Sequence, residues 1–480
     1  MASNGETTPG SCVAGTTCAA RRHWIGGLAL FLLLHGCASH ADRIATAQNH
    51  FFAGDLKAAR ADIDLLLKKP KRDGDALLLD QAMIQLVSGR PKDAERILRT
   101  VRDHFDYFEQ KDAAEAAKSM LTDDTRRSYA GDDHEKVLVR AFLALSNLMS
   151  DGGDAEAYSL QVNAKQKELI EAAGGLEEHP ELASAQIALG PYLRAMLQEE
   201  SRVNVDEVVR NRAMVASWQP DFRDAQVDLA RAESTAHCAP GNGVIYIFAL
   251  VGRGPSKQEK LEIPTQAALF VADRIVSAVG KQNLPPTIAP IRVPVVVRRN
   301  NRIDHLQVAV DDKSSGDTAT LVDVGQLAEA HCKAKAPEVI GRAVARRFLK
   351  KAAIYAAKEA TGAQASPGVD IALTLGGIAW EAMEAPDTRC WSLLPDKIQV
   401  LRIEVPAGPH EITLTPADHF GRFGYSAVSK VNVAAGRNTS VLVNFPDSHL
   451  VGEVLTNSQA PPSAPPVQQA SAAVQPVDLP

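Results

Sequence analysis

Ala239-Pro240-Gly241-Asn242-Gly243-Val244-Ile245-Tyr246-Ile247-Phe248-Ala249-Leu250-Val251 decides the fold, because there the period of the chain changes. From Val244 to Val251 the residues are all apolar, largely β-branched or aromatic, with turn formers on either side. Such a run reads as a buried strand. Upstream, apolar residues recur at helical spacing; downstream, short runs alternate. The expected fold class is α+β, with an all-α segment over 37–235 and a smaller mixed α/β domain with C-terminal β-hairpins over 236–455. The Pro-, Ala-, Gln- and Ser-rich end, 456–480, has the composition of a disordered tail.

Working back from Ala239, the helical segment repeats itself. Ala47, Gly54, Asp55, Ala59 and Ile63 recur, 35 positions on, as Ala82, Gly89, Arg90, Ala94 and Leu98. The small residues let two helices approach closely and the glycine makes the turn between them. This resembles the tetratricopeptide repeat (TPR), whose period is about 34 residues and whose units stack into a solenoid with a concave binding surface. A looser third unit, 134–169, places Leu145, Gly152 and Ala157 in the same three positions. A fourth candidate runs from Leu189 to Glu233, with Tyr192, Trp218 and Ala225 expected inside.

Working forward, further strands are expected at Ile291–Arg298, Ile303–Val310 and Leu321–Val324. Two helices are expected at Glu338–Ala360 and Val369–Glu384. The first is basic and amphipathic, and fits either an anionic membrane surface or, the favoured reading, a surface helix with its apolar stripe on the core. Leu401, Ile403 and Val405 before Ala407-Gly408-Pro409, with Ile412 and Leu414 after it, read as a hairpin. Val431 and Val433, then Val441, Val443 and Phe445 around Gly436, read as a second one.

The N-terminal end carries an address. Arg21 and Arg22 precede an apolar run from Trp24 that is too short to span a bilayer and closes in Leu34, His35, Gly36 and Cys37. Those four residues resemble a bacterial lipobox, so residues 1–36 are expected to be a signal peptide and Cys37 the lipidated first residue of the mature chain. Several acyl chains hold a protein at a membrane far more firmly than one. Ala38 after the cysteine points to the outer membrane.

The sequence carries no recognisable catalytic motif. Gly252 to Lys257 lacks the spacing of a phosphate loop, and there is neither a Gly-x-Ser-x-Gly elbow nor a His-Glu-x-x-His pair. Asp311 to Asp317 has a lysine where a calcium loop needs a ligand, and reads as a solvated turn. A net charge of -6 over 480 residues argues against a dedicated nucleic-acid binder. Aromatic residues, at 5%, are too few to favour a carbohydrate groove. Cys238, Cys332 and Cys390 in the mature body permit one disulfide, or none. Asp387, Arg389 and Trp391 form a candidate cluster, read either as a small polar binding site or, preferably, as a clamp between a hairpin and a helix end.

Gly243 to Gly252, Leu261-Glu262-Ile263-Pro264, Asp387-Thr388-Arg389-Cys390-Trp391 with Leu394-Pro395, and the Pro406 to His410 turn together carry a family resemblance. The chain is similar, over roughly 37–415, to an uncharacterised family of bacterial lipoproteins with TPR-like helical hairpins followed by a mixed C-terminal domain. The resemblance implies no reaction, cofactor or metal and transfers no catalytic residue. The expectation is a lipid-anchored envelope protein, on the periplasmic face of the outer membrane, that serves as a non-catalytic scaffold for a protein partner. The rival expectations are an envelope enzyme acting on cell-wall or surface polymer and a subunit of an export system.

Overall fold

A computed structural model describes residues 40–119, 128–202, 204–279, 290–360, 370 and 386–458. The chain divides into two compact units, Met1–Arg43 and Ile44–Pro480. Of the first, residues 40–43 are described, as the opening turn of α1 (His40–Phe52). The lipobox residues Leu34, His35, Gly36 and Cys37, the expected helix over 369–384 apart from residue 370, and the tail beyond residue 458 lie outside the described residues.

In the second unit α1 is followed by α2 (Leu56–Leu67), α3 (Gly74–Val87), α4 (Pro91–Ser119), α5 (Asp133–Leu148), α6 (Ala155–Ala172), α7 (Leu189–Ser201), α8 (Val205–Trp218) and α9 (Ala225–Glu233). From α2 to α9 each helix packs on the next in chain order. Gly54 and Gly89 take positive φ, 85° and 77°, at the turns into α2 and α4, where a side chain would be strained. Ala47, Ala59, Ala82 and Ala94 are buried where the repeat predicts close helix approach. In the third unit the register differs: Ala155 and Tyr158 are buried, whereas Ala157 is exposed. Gly153 inserts one residue between the turn glycine and Asp154 at the start of α6, which rotates the following helix. Tyr192 and Ala225 are buried, and Trp218 packs against the core from a half-buried position.

All sixteen residues of α5 are buried, its polar first turn included. A helix covered on every side must be supplied with partners for its polar groups. That requirement shapes the site described below.

Among the described residues the strands form two five-stranded sheets and one two-stranded ribbon. β1 (Asn242–Val251) lies in a sheet of order β12-β11-β1-β7-β6, parallel to β11 (Asn438–Phe445) and antiparallel to β7 (Lys397–Pro406); β12 is Leu455–Thr456 and β6 Ala319–Asp323. The second sheet has the order β10-β8-β4-β5, with β10 at Ala427–Val433, β8 at Gly408–Asp418, β4 at His305–Val310 and β5 at Lys313–Asp317. β9 (Gly421–Arg422) pairs with β8. Alternate residues of β1 explain its continuous apolar run. Val244, Tyr246, Phe248 and Leu250 join the core shared with the helices, whereas Ile245, Ile247, Ala249 and Val251 join the core between the two sheets.

The two expected C-terminal hairpins are not hairpins. β7 pairs with β1 and β6 while β8 pairs with β4 and β10, and the same division separates β10 from β11. Leu401, Ile403, Val405, Ile412 and Leu414 therefore meet face to face between sheets instead of side by side within one. Both corners fold against the start of β1: Ala407 N–H donates to Gly241 O (2.9 Å) and Gly436 N–H to Asn242 O (2.7 Å). Alternation fixes which residues face the core; it is identical for a hairpin and for a strand that changes sheet.

The third element is an antiparallel ribbon of β2 (Ser256–Glu262) and β3 (Ile291–Val297). It shares a separate small core with α10 (Gln266–Val279) and α11 (Val324–Ala360). The basic helix expected from Glu338 begins fourteen residues earlier and runs through Pro337. Ile340, Val344 and Ala345 on it are covered by this core, while Tyr355 is exposed. Cys238, Cys332 and Cys390 are free thiols. No helix among the described residues is long and apolar enough to cross a membrane.

Candidate functional site

The first turn of α5 opens onto a cavity of about 870 Å³, enclosed by the β2–β3 ribbon, α11 and residues 387–389. Asp132, Asp133, His134 and Lys136 come from the helix start, Lys257 from β2, His331 and Lys335 from α11, and Asp387 and Arg389 from the segment before β7. Val293, Val295, Ala336, Val339 and Ile340, from the same ribbon and helix, supply an apolar part of the lining.

The charges at the polar end are matched pair by pair. Lys257 Nζ lies 2.7 and 2.6 Å from the two carboxylate oxygens of Asp132. Lys335 Nζ lies 2.7 Å from Asp133, and Lys136 3.2 Å from the same carboxylate. Burial raises the Asp132 and Asp133 carboxyls, but the neighbouring ammonium groups outweigh it and hold both below the ordinary range, Asp133 strongly. Burial lowers Lys257, and Asp132, Asp387 and Glu135 more than restore it.

Two imidazoles stand apart from this pairing. His134 and His331 are 4% and 8% exposed, with ring centroids 6.4 Å apart. Burial brings each down to about 4, and for His331 the neighbouring His134 contributes in the same direction. Both are neutral near pH 7. Neither has a hydrogen-bond partner among the described residues, and both line the cavity.

Glu135 lies behind the cavity wall. Its Oε2 accepts from Asp132 N–H at 3.0 Å and from the Tyr129 hydroxyl, and its Oε1 accepts from Trp391 N–H at 2.6 Å. Burial and then Asp132 push this carboxyl up to about 7. The donor atoms of Asp132, His134 and Glu135 lie within 4.8 Å of one another, the spacing of a possible metal site. The chemistry fits a cation poorly. Asp132 faces an ammonium with both oxygens and Glu135 has accepted its donors, so only the imidazole is uncommitted.

The segment singled out by sequence, Asp387 to Trp391, straps the helices to the sheets. Asp387 holds the Arg389 guanidinium through two oxygens (2.8 and 2.6 Å), and Arg389 donates to Arg72 O at 2.7 Å while stacking over Tyr129. Trp391 is buried against Phe142, centroids 5.1 Å apart. Just beyond, Asp80 of α3 accepts from Ser392 N–H (3.0 Å), Leu393 N–H (3.1 Å) and the Ser392 hydroxyl (2.7 Å). Cys390 sits within the strap, its thiol pushed by burial up to about 12. Asp387 and Arg389 thus act in the strap and also face the cavity; Trp391 belongs to the core.

Sequence reading missed Asp132, Asp133, His134, Lys257, His331 and Lys335. One signal was present: five polar residues, Asp132-Asp133-His134-Glu135-Lys136, open a helix that is apolar almost throughout afterwards. A helix of that kind is buried, and its polar start must then lie inside the molecule. No protein-family model, curated protein or solved structure matches the chain.

Proposed function

We propose that this chain is a lipid-anchored bacterial cell-envelope protein that works by binding and not by catalysis. The observation that carries the proposal is the Leu34-His35-Gly36-Cys37 sequence after a short apolar run, which would place a lipidated Cys37 at the head of the mature protein. The helices from α2 to α9 would form the TPR-like scaffold that receives a protein partner. Support comes from the glycine turns at 54 and 89 and the buried alanines at the repeat positions. The mixed half would dock to a further envelope component on the periplasmic face of the outer membrane.

A binding role also agrees with the cavity chemistry. Of the carboxylates around the cavity, Asp132, Asp133 and Asp387 are each held by a cationic side chain and Glu135 is sealed behind the wall, so none of these four is free to take a proton from a bound molecule.

Intact-mass analysis of the membrane-extracted protein, with Cys37→Ala alongside, tests the anchor. The expected result is a chain beginning at Cys37 with a diacylglyceryl increment that the variant lacks. An unlipidated, soluble wild-type product would refute the anchor, and crosslinking in intact envelopes that yields no partner would refute the scaffold.

A further inference from the structure

We propose that the cavity between α5, α11 and the β2–β3 ribbon binds an amphiphile with an uncharged polar head, the head hydrogen-bonded to His134 and His331 and the apolar body lying along Val293, Val295, Val339 and Ile340. This goes beyond the scaffold role and does not depend on the lipid anchor.

Head chemistry follows from what the polar end leaves unsatisfied. An anionic head would seek a cation, but Lys257 is held by Asp132, Lys335 and Lys136 by Asp133, Arg389 by Asp387, and Arg342, at the cavity edge, by Glu338. A cationic head meets the same difficulty with the carboxylates. Breaking the more buried of these pairs, Lys257–Asp132, Lys136–Asp133 or Arg389–Asp387, leaves a charge without that partner. Among the described residues at the polar end, the two imidazoles make no hydrogen bond, and a neutral imidazole offers one N–H donor and one acceptor nitrogen. A hydroxyl, which also donates and accepts, matches that pair; so does an amide. Both imidazoles open onto the cavity, so a ligand that meets both gains two hydrogen bonds in place of contacts with solvent.

Body chemistry follows from the apolar part of the lining. Val293, Val295, Ala336, Val339 and Ile340 carry no polar side-chain atom, and the volume suits a ligand with a substantial apolar part. Leu261 and Ile263, on either side of the cavity-lining Glu262, are 64% and 74% exposed. They give the adjoining strand end the apolar surface that an alkyl chain would use on entry.

The test is photoaffinity labelling of the full-length protein, in isolated membranes or in buffer according to how it partitions. Three diazirine-bearing probes of equal chain length are used: monododecanoylglycerol, dodecanoate and dodecyltrimethylammonium. Peptides spanning residues 292–298 and 336–342 are then quantified by mass spectrometry. The neutral probe is expected to label them about tenfold more than either charged probe, and Val339→Trp, which fills the cavity, to abolish that labelling. His134→Leu with His331→Leu should reduce the neutral preference roughly tenfold, the effect of two lost hydrogen bonds of about 0.5–1 kcal/mol each. His134→Gln with His331→Gln, which restores donors and acceptors, should recover part of it, and far-UV circular dichroism checks that each variant folds. Equal labelling by the charged probes, or labelling that survives Val339→Trp, would overturn the proposal. So would retention of one equivalent of added zinc chloride by the wild type that His134→Leu abolishes, because the imidazole would then serve a cation.

Discussion

Acidification should destabilise this protein through two side chains in particular, His134 and His331. Each is buried and neutral with a folded-state pKa of about 4, against about 6.5 in an unfolded chain. A depressed imidazole pKa means that the unfolded state binds protons first. The stability it contributes is complete above pH 6.5 and is lost as the pH falls towards 4. Between about pH 7 and 4.5 the loss is roughly 2.5 kcal/mol per imidazole, about 5 kcal/mol for the two. Glu135 acts in the opposite sense: its carboxyl, pushed up to about 7, is uncharged in acid, and protonation over the same range restores roughly 2.5 kcal/mol. Asp132 and Asp133, held low by their lysines, give up stability only as the pH falls through and below the ordinary carboxyl range near 3.9. Wild type is therefore expected to lose about 2.5 kcal/mol from these three groups, whereas the His134→Gln, His331→Gln double variant should gain about that amount from Glu135 alone. Urea unfolding followed by circular dichroism at about pH 7, 5.5 and 4.5 measures the difference in slope between the two proteins. A double variant with the wild-type pH dependence would show that the two imidazoles titrate as in the unfolded chain, refuting the burial that lowers them.

Three further substitutions probe the joints of the fold. Asp80→Ala removes the acceptor for Ser392 N–H and Leu393 N–H and should cost about 2–5 kcal/mol, read as a lower urea midpoint at unchanged slope. Arg212 is fully buried and holds Glu199 at 3.0 Å and Asp228 at 3.1 Å; Arg212→Met leaves both buried carboxylates to Arg231 alone and should cost about 3–5 kcal/mol in thermal or urea unfolding. Gly452 has φ 95°, and a Cβ there would lie 2.1 Å from Val87 O, so Gly452→Ala should cost about 2–4 kcal/mol. Its effect should be local, seen as faster amide exchange at Glu453, whose N–H donates to Val87 O at 2.9 Å.

Much of the secondary structure was legible because period and turn chemistry are local. The glycine at 54 and its copy at 89 marked helix turns, and the apolar run from Val244 marked a strand with both faces covered. The third repeat shows the limit of spacing: one inserted residue, Gly153, turned Ala157 outward and buried Tyr158. The start of α11 was missed because Pro337 reads as a break, yet the helix carries it within a continuous run from Val324.

The sequence by itself determined the α+β class, the change of period near residue 240 and the candidate anchor at Cys37, each of which depends on residues close together in the chain. Only the tertiary structure decided that β7 and β8 enter different sheets, and that β1 pairs in parallel with β11 far along the chain. The cavity also belongs to the tertiary level: the Glu135–Trp391 contact closing its back joins residues 256 apart. The physical reason is that alternation and helical spacing specify which face of an element is buried but not what buries it. Pairing across such separations is set by packing over the whole unit, and the charge matching around His134 and His331 exists only once that packing is complete.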